Sequence, residues 1–286
     1  MSRPTNSNSD SSSLFLGIPE IDRRFWKTLQ PGHVHLIAVS DDVDKAAFAA
    51  EVSLYHVSRS VKTFELALGD ELDVGNEQNT VFNHFFAQKS GVSASRFYPG
   101  YCTKSELKII TAAVDEIRNL HSQAAFWMPE ANLNVINEKA RAASQHFIDV
   151  SNTALELIII TGFEHLSARA NHDRDPAAVA GQLKEMAIYY NVPVIIFASI
   201  PVPAGDSTSA PTADDVPWAG DVLPFCSFFS LLYADRGQIF CRVAKNLLGK
   251  SGIQAVRTLP APVVPFFPTA EDIAAAAAAE QSGGAA

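Results

Sequence analysis

Val34-His35-Leu36-Ile37-Ala38-Val39-Ser40-Asp41-Asp42-Val43-Asp44-Lys45-Ala46-Ala47-Phe48 is the segment from which the architecture is read. Val34 to Val39 is short, apolar and rich in β-branched side chains, the pattern of a strand buried on both faces. A polar loop from Ser40 to Lys45 follows, and Ala46 to Val57 then reads as a helix. Strand, loop and helix in that order begin a βα unit. The alternation continues along the chain. Val61 to Leu68, Leu155 to Thr161 and Val192 to Ser199 are further strand-like runs, the first interrupted by Lys62 and Glu65. Between them, Thr103 to Leu120 opens on a Thr103/Glu106 capping box, and Pro176 to Tyr190 has Asp175 at its N-cap and proline at its first position. Then helices cease. Ser227 to Ala234, Gln238 to Lys245 and Ile253 to Leu259 are strand-like and joined by the turn-like segments Asp235-Arg236-Gly237 and Leu247 to Gly252. The predicted class is α/β: a mostly parallel central sheet flanked by helices, with a C-terminal antiparallel β-meander.

The chain has 286 residues, 47% of them apolar and 19% charged, which excludes disorder over most of its length. Residues 1–13 (MSRPTNSNSDSSS) are polar and Ser-rich and read as a disordered tail. Residues 261–286 read as a Pro/Ala-rich tail, in which Thr269 and Asp272 begin a short alanine helix. The domain expected between them runs from 14 to 260. A net charge of −9 disfavours a protein that grips nucleic-acid phosphates over its whole surface. No apolar run reaches the roughly 18 residues that would span a bilayer, and the N-terminus lacks the pattern of a signal peptide. Cys102, Cys226 and Cys241 are scattered, as suits a reducing cytoplasm. A cytoplasmic protein is the expectation.

Ligands of such sheets bind beyond the carboxyl ends of the strands, which directs attention to the loop from Ser40 to Ala46. A phosphate-cradling loop there would read GxxxxGK[ST], with glycines to let N–H groups close on the phosphates, a lysine to neutralise them and a hydroxyl on magnesium. This loop keeps only Lys45; it carries Asp41, Asp42 and Asp44, and Ala46 stands where the hydroxyl belongs. Carboxylates beside a triphosphate cost on the order of several kcal/mol at an effective dielectric near 20. An ordinary acidic strand-to-helix turn with a solvated lysine is the plainer reading of the loop alone.

The wider context adds to this. Leu16-Gly17-Ile18-Pro19, Ile21-Asp22 and Leu29-Gln30-Pro31-Gly32 resemble the lead-in to the RecA-like motor domain of DnaB-type replicative helicases. Gly32 to Phe48 then falls without a gap on that family's phosphate loop, with Lys45 and Phe48 matching, Asp44 in place of a glycine and Ala46 in place of the hydroxyl. Val61 to Leu68 resembles the strand that carries the family's catalytic glutamate, at the position of Ala67 here. Gly91 to Glu106 resembles the run before the next helix. Leu155 to Leu166 resembles the Walker B strand, with Thr161 at the position of the magnesium-binding aspartate, and Gln182 to Ile195 the helix and strand after it. Lys245 to Gly252 is similar to the turn whose arginine reaches a neighbouring subunit's nucleotide, with Leu247 in the arginine's place. The likeness covers about residues 16 to 259. It implies a RecA-like P-loop NTPase fold whose nucleotide site, at Asp44, Lys45, Ala46, Ala67, Thr161 and Leu247, is vestigial: a pseudo-ATPase with no catalytic residues, cofactor or metal.

Three functions follow from these readings. The first is a non-catalytic subunit, regulatory or scaffolding, of a replication or plasmid-maintenance machine, with a helicase-like protein or another copy of itself as partner. The second is a cytoplasmic regulatory subunit of a bacterial secretion system such as cellulose secretion, whose regulators look similar in carrying a degenerate RecA-like module and with which residues 228–259 are compatible; its partners are secretion-complex subunits, with no insertion into the membrane. The third is a divergent ATPase using Lys45 with Asp41, Asp42 or Asp44 as metal ligands. From Glu185 to Asp235 there is no Lys or Arg, which disfavours DNA tracking through loops in that span. Its Pro201 to Pro217 stretch reads as a surface loop. His33 and His35, two apart, read as core or edge residues rather than metal ligands. Glu164-His165 is set aside as an acid/base pair because neighbours at a strand end point apart. Phe82, Phe85 and Phe86 read as a core-facing or partner-facing helix stripe.

Overall fold

The structure, a computed structural model, describes residues 14–25, 29–69, 80–97, 102–128, 130–167, 175–200, 210–247 and 249–258. The two tails expected at 1–13 and 261–286 lie outside these residues, as do positions 201–209 of the acidic Pro/Ser/Thr stretch. In chain order the elements are α1 (Pro19–Arg24), β1 (Val34–Ser40), α2 (Lys45–Val57), β2 (Thr63–Leu68), α3 (Thr80–Ser90), α4 (Lys104–Leu120), β3 (Gln123–Met128), β4 (Ala131–Asn132), α5 (Leu133–Ser151), β5 (Leu157–Thr161), β6 (Leu166–Ser167), α6 (Pro176–Tyr190), β7 (Val194–Ile200), α7 (Ala219–Val222), β8 (Phe228–Asp235), β9 (Gln238–Asn246) and β10 (Gly252–Thr258).

The main sheet has the order β10-β9-β8-β1-β7-β5-β2-β3. From β8 to β3 every pairing is parallel, and β9 and β10 add on antiparallel at one edge. This is the mostly parallel sheet with terminal meander that the sequence pattern predicts. Every residue of β1, β2 and β5 is buried, because helices cover both faces. Alternate side chains feed two apolar layers. Leu36, Ala38, Ile158 and Ile160 pack with α5 and α6, whereas Ile37, Val39, Leu157 and Ile159 pack with α1, α2 and α3.

Local chemistry fixes the helix ends. Thr103 and Glu106 form the expected reciprocal capping box, and Asp175 accepts from the N–H groups of Ala177 and Ala178 ahead of Pro176. The elements additional to the sequence reading are α1, β3, β4, α5, β6 and α7. Strand β3 lies at the sheet edge with its residues partly or fully exposed, although Ala124 to Met128 is a continuous apolar run. Helix α5 is amphipathic, with Leu133, Ile136, Ala140, Ala143 and Phe147 buried at helical spacing. The Phe82/Phe85/Phe86 stripe falls on α3; Phe85 is fully buried and Phe86 packs at the core margin.

The two polar interruptions near β2 are absorbed in different ways. Lys62 sits just before the strand and donates to the carbonyl of His121 at 3.1 Å. Glu65 is inside the strand and 0% exposed. Its Oε2 accepts from Ser53 Oγ at 2.6 Å and Gln123 Nε2 at 2.5 Å, and its Oε1 has no hydrogen-bond partner. Burial pushes this carboxyl up to about 7, against the pull of the Ser53 and Gln123 hydrogen bonds.

Candidate functional site

At the carboxyl end of β1 the chain turns through Asp41 and Asp42, both exposed, to the start of α2. The Asp41 N–H donates to the carbonyl of Ile200 on β7 at 3.1 Å. Asp42 Oδ1 lies 3.4 Å from the N–H of Ala234 on β8. Asp44 is the N-cap: its Oδ1 accepts from the Ala47 N–H at 2.9 Å, while Oδ2 is 3.2 Å from His84 Nε2 on α3. No glycine is present in this turn, and the capping carboxylate gives the helix terminus its anion from within the chain.

Lys45 is the first residue of α2, and its ammonium is engaged. Nζ lies 2.5 Å from Glu164 Oε1, with only 20% and 28% of the two side chains exposed. Glu164 belongs to a single turn of 3-10 helix, Phe163–His165, that follows β5. Gly162 makes that turn at φ +97°; a Cβ there would collide with the carbonyl of Leu68 at the end of β2. The other Glu164 oxygen, Oε2, accepts from the Ser199 N–H on β7 at 3.1 Å. Burial acts to raise the Glu164 pKa, but the Lys45 charge and hydrogen bond and the Ser199 N–H outweigh it and hold the carboxyl below its ordinary range. Glu164 is therefore held as a carboxylate, and its two contacts tie α2 and β7 to the turn after β5.

Ala67 and Thr161 are register partners on β2 and β5, both nearly fully buried. The Thr161 hydroxyl has no hydrogen-bond partner, and neither does that of Ser40 at the end of β1. Thus Asp44, Lys45, Ala46, Ala67 and Thr161 gather at one end of the sheet. Leu247 does not join them. Asn246 pairs with Phe228, and Phe228 faces His35 near the start of β1, so Leu247 lies at the opposite end of the sheet, 65% exposed. Lys245, close to it in sequence, donates to the Leu223 carbonyl at 2.5 Å.

Sequence reasoning missed Glu164 as a partner of Lys45 and His84 as a neighbour of Asp44. The adjacency argument that set Glu164-His165 aside assumed a strand end, whereas the 3-10 turn swings Glu164 across to α2, and His165 Nε2 stays 3.9 Å from its carboxylate. Lys45 is accordingly not the solvated lysine of a plain acidic turn. The one local signal for this turn was Gly162 directly after the strand. Aromatic rings back the turn: Phe163 packs 5.1 Å from Trp218, which lies 6.5 Å from Phe229. Elsewhere, His33 and His35 have ring centroids 6.5 Å apart, with His33 Nδ1 at 2.5 Å from Ser227 Oγ. Among the described residues no three His, Cys, Asp or Glu side chains are grouped to hold a metal.

The sequence model of the DnaB-like helicase C-terminal domain matches residues 14–207 of this chain. The chain belongs to that family. Its fold is shared with a DnaB-like replicative helicase whose structure was described together with its interactions with primase, at 19% identity and a TM-score of 0.67 over 83% of this chain. The match spans 57% of the length of that helicase. A second solved structure, described as an ATPase domain, matches at 18% identity and a TM-score of 0.68, over 86% of this chain and 88% of that domain. Among curated protein sequences none matches. The fold is thus the RecA-like one of DnaB-type domains. Among the described residues no helix is long and apolar enough to cross a membrane.

Proposed function

We propose that this DnaB-like domain, residues 14 to 260, is a non-catalytic regulatory or scaffolding subunit of a replication or plasmid-maintenance machine in the cytoplasm, acting through protein–protein contacts. The observation that carries the reading is the Lys45–Glu164 pair. Phosphoryl transfer by P-loop folds depends on positioning and charge stabilisation, with that lysine on the phosphates. Here its ammonium already holds a carboxylate, whose second oxygen is bonded to Ser199. A triphosphate would have to displace Glu164 and then sit among Asp41, Asp42 and Asp44. One such pair of like charges roughly 5 Å apart costs about 3 kcal/mol at an effective dielectric near 20.

The remaining donors do not fit a magnesium–nucleotide either. Ala46 offers a methyl group where a metal-binding hydroxyl is required, and the buried methyl of Ala67 can take no proton from a water. The absence of Lys and Arg between Glu185 and Asp235 supports protein rather than nucleic-acid partners. That one solved relative is described with its interactions with primase supports a partner of the replication kind.

Purified protein is expected to show no ATP turnover and no Mg²⁺-dependent ATP binding by calorimetry up to about 1 mM, the concentration that corresponds to roughly 4 kcal/mol of affinity. Turnover, or Mg²⁺-dependent binding that disappears in Lys45→Gln, would overturn the reading in favour of a divergent ATPase. Affinity capture from the native host should recover replication proteins. Recovery of secretion-complex subunits in their place would assign the chain to the cytoplasmic regulation of secretion.

A further inference from the structure

A second charged feature lies at the opposite end of the sheet from Lys45. An open cleft of about 650 Å³ is lined by Glu20, Arg23, Arg24, Lys250, Ser251 and Gln254. Three cations and one carboxylate face it, in a chain whose net charge is −9. No aliphatic or aromatic side chain is in the lining, which excludes an apolar ligand or a helix docked by its apolar face.

The walls are held in place by the chain itself. Asn246 Nδ2 donates to the Phe25 carbonyl, at the end of α1, at 2.7 Å and to the Lys250 carbonyl, in the β9–β10 turn, at 2.9 Å. The turn is pressed so closely on α1 that a Cβ on Gly249 would stand 3.0 Å from both Asn246 Nδ2 and the Phe25 oxygen. Arg24 is oriented by Gln254, whose Oε1 accepts from Nη1 at 3.0 Å, and Arg23 by its Nε donating to the Pro19 carbonyl at 3.1 Å. Glu20 stands 3.6 Å from Arg23, so the single carboxylate of the lining is set against one of the three cations. A guanidinium has five N–H donors, so each arginine retains donors beyond the one that fixes it.

We propose that this cleft binds a phosphate-class oxyanion, phosphate or pyrophosphate, free or as the tail of a nucleotide. Two guanidinium groups and an ammonium lining one cleft supply the positive charge and the N–H donors that phosphate oxygens take. The Gln254 contact with Arg24, and the hold of Asn246 on the backbone of the two walls, lower the ordering cost of binding. Recognition rests on Arg23, Arg24 and Lys250, needs no magnesium, and is independent of Lys45.

The test is calorimetric titration of the whole protein with pyrophosphate, in EDTA and low salt, for wild type, Arg24→Gln and Lys250→Gln, with circular dichroism to establish that the variants fold. Saturable binding is expected, weakening at higher salt and falling about ten-fold or more in each variant, the size of a lost charge-assisted hydrogen bond. ATP and AMP titrated in the same buffer identify the source. Binding of ATP that is tighter than that of pyrophosphate and equally sensitive to Arg24 and Lys250 assigns a nucleotide, and equal or weaker binding assigns the free anion. Absence of saturable pyrophosphate binding overturns the proposal, as does binding unchanged in both variants. Binding of a short single-stranded oligonucleotide without pyrophosphate binding overturns it too. So does salt-sensitive self-association without pyrophosphate binding, which would mean that the acidic Asp41–Asp44 loop of a second copy fills the cleft.

Discussion

Between pH 5 and pH 8 the stability of the wild-type protein falls by roughly 2 to 3 kcal/mol relative to a Glu65→Gln variant, as measured by urea denaturation at each pH. Glu65 is completely buried on β2, and its carboxyl is raised from 4.5 to about 7 by burial, against the Ser53 and Gln123 hydrogen bonds. A carboxyl with a higher pKa folded than unfolded keeps its proton longer in the native state. Its contribution is complete below the unfolded value, near 4.5, and is lost as the pH climbs through about 7. Gln keeps the shape and the capacity to hydrogen-bond but cannot ionise. The comparison with the variant is essential because two buried histidines act in the opposite sense. Burial holds His35 down to about 3 and His56 down to about 4, so both destabilise the fold as the pH drops below their ordinary 6.5. Asp22, pushed up to about 6 by burial, has the same sign as Glu65. These contributions cancel between wild type and variant, and stability curves that run parallel would refute the assignment to Glu65.

Lys45→Met is expected to cost about 2 to 3 kcal/mol of folding stability, because it leaves the Glu164 carboxylate without its counter-charge. The value is placed at the lower end for a buried pair because 20% and 28% of the two side chains still meet solvent. Glu164→Gln should cost less, since its one carbonyl oxygen still accepts from either Lys45 or the Ser199 N–H and the partly exposed ammonium can turn to solvent. The double variant should recover part of the loss, giving a coupling energy of about 1 to 2 kcal/mol in a double-mutant cycle. A lysine held in reserve for phosphates behaves differently: truncating it is nearly neutral for folding. A cycle that closes with no coupling would therefore remove the main support for a non-catalytic role.

What was legible in the sequence was whatever is encoded within a few residues. Val34 to Val39 shows burial on both faces in its composition, Asp175-Pro176 marks the start of α6, and Thr103/Glu106 marks that of α4. The missed pieces depend on tertiary placement. Gln123 begins an edge strand, and its amide turns inward to reach Glu65, a residue 58 positions away. Glu164 reaches Lys45 across 119 positions, and His84 meets Asp44 only after α3 packs on α2. Leu247 shows the same limit. Its place in a motif was readable, whereas its distance from the rest of the group depends on β9 running antiparallel to β8.

The aromatic backing of the 3-10 turn has a practical consequence. Because the indole of Trp218 rests against Phe163, one residue from Glu164, its emission should register any rearrangement of the ionic contact at the head of α2. With Trp26 and Trp127 replaced by phenylalanine, breakage of that contact can thus be followed optically without a reporter dye.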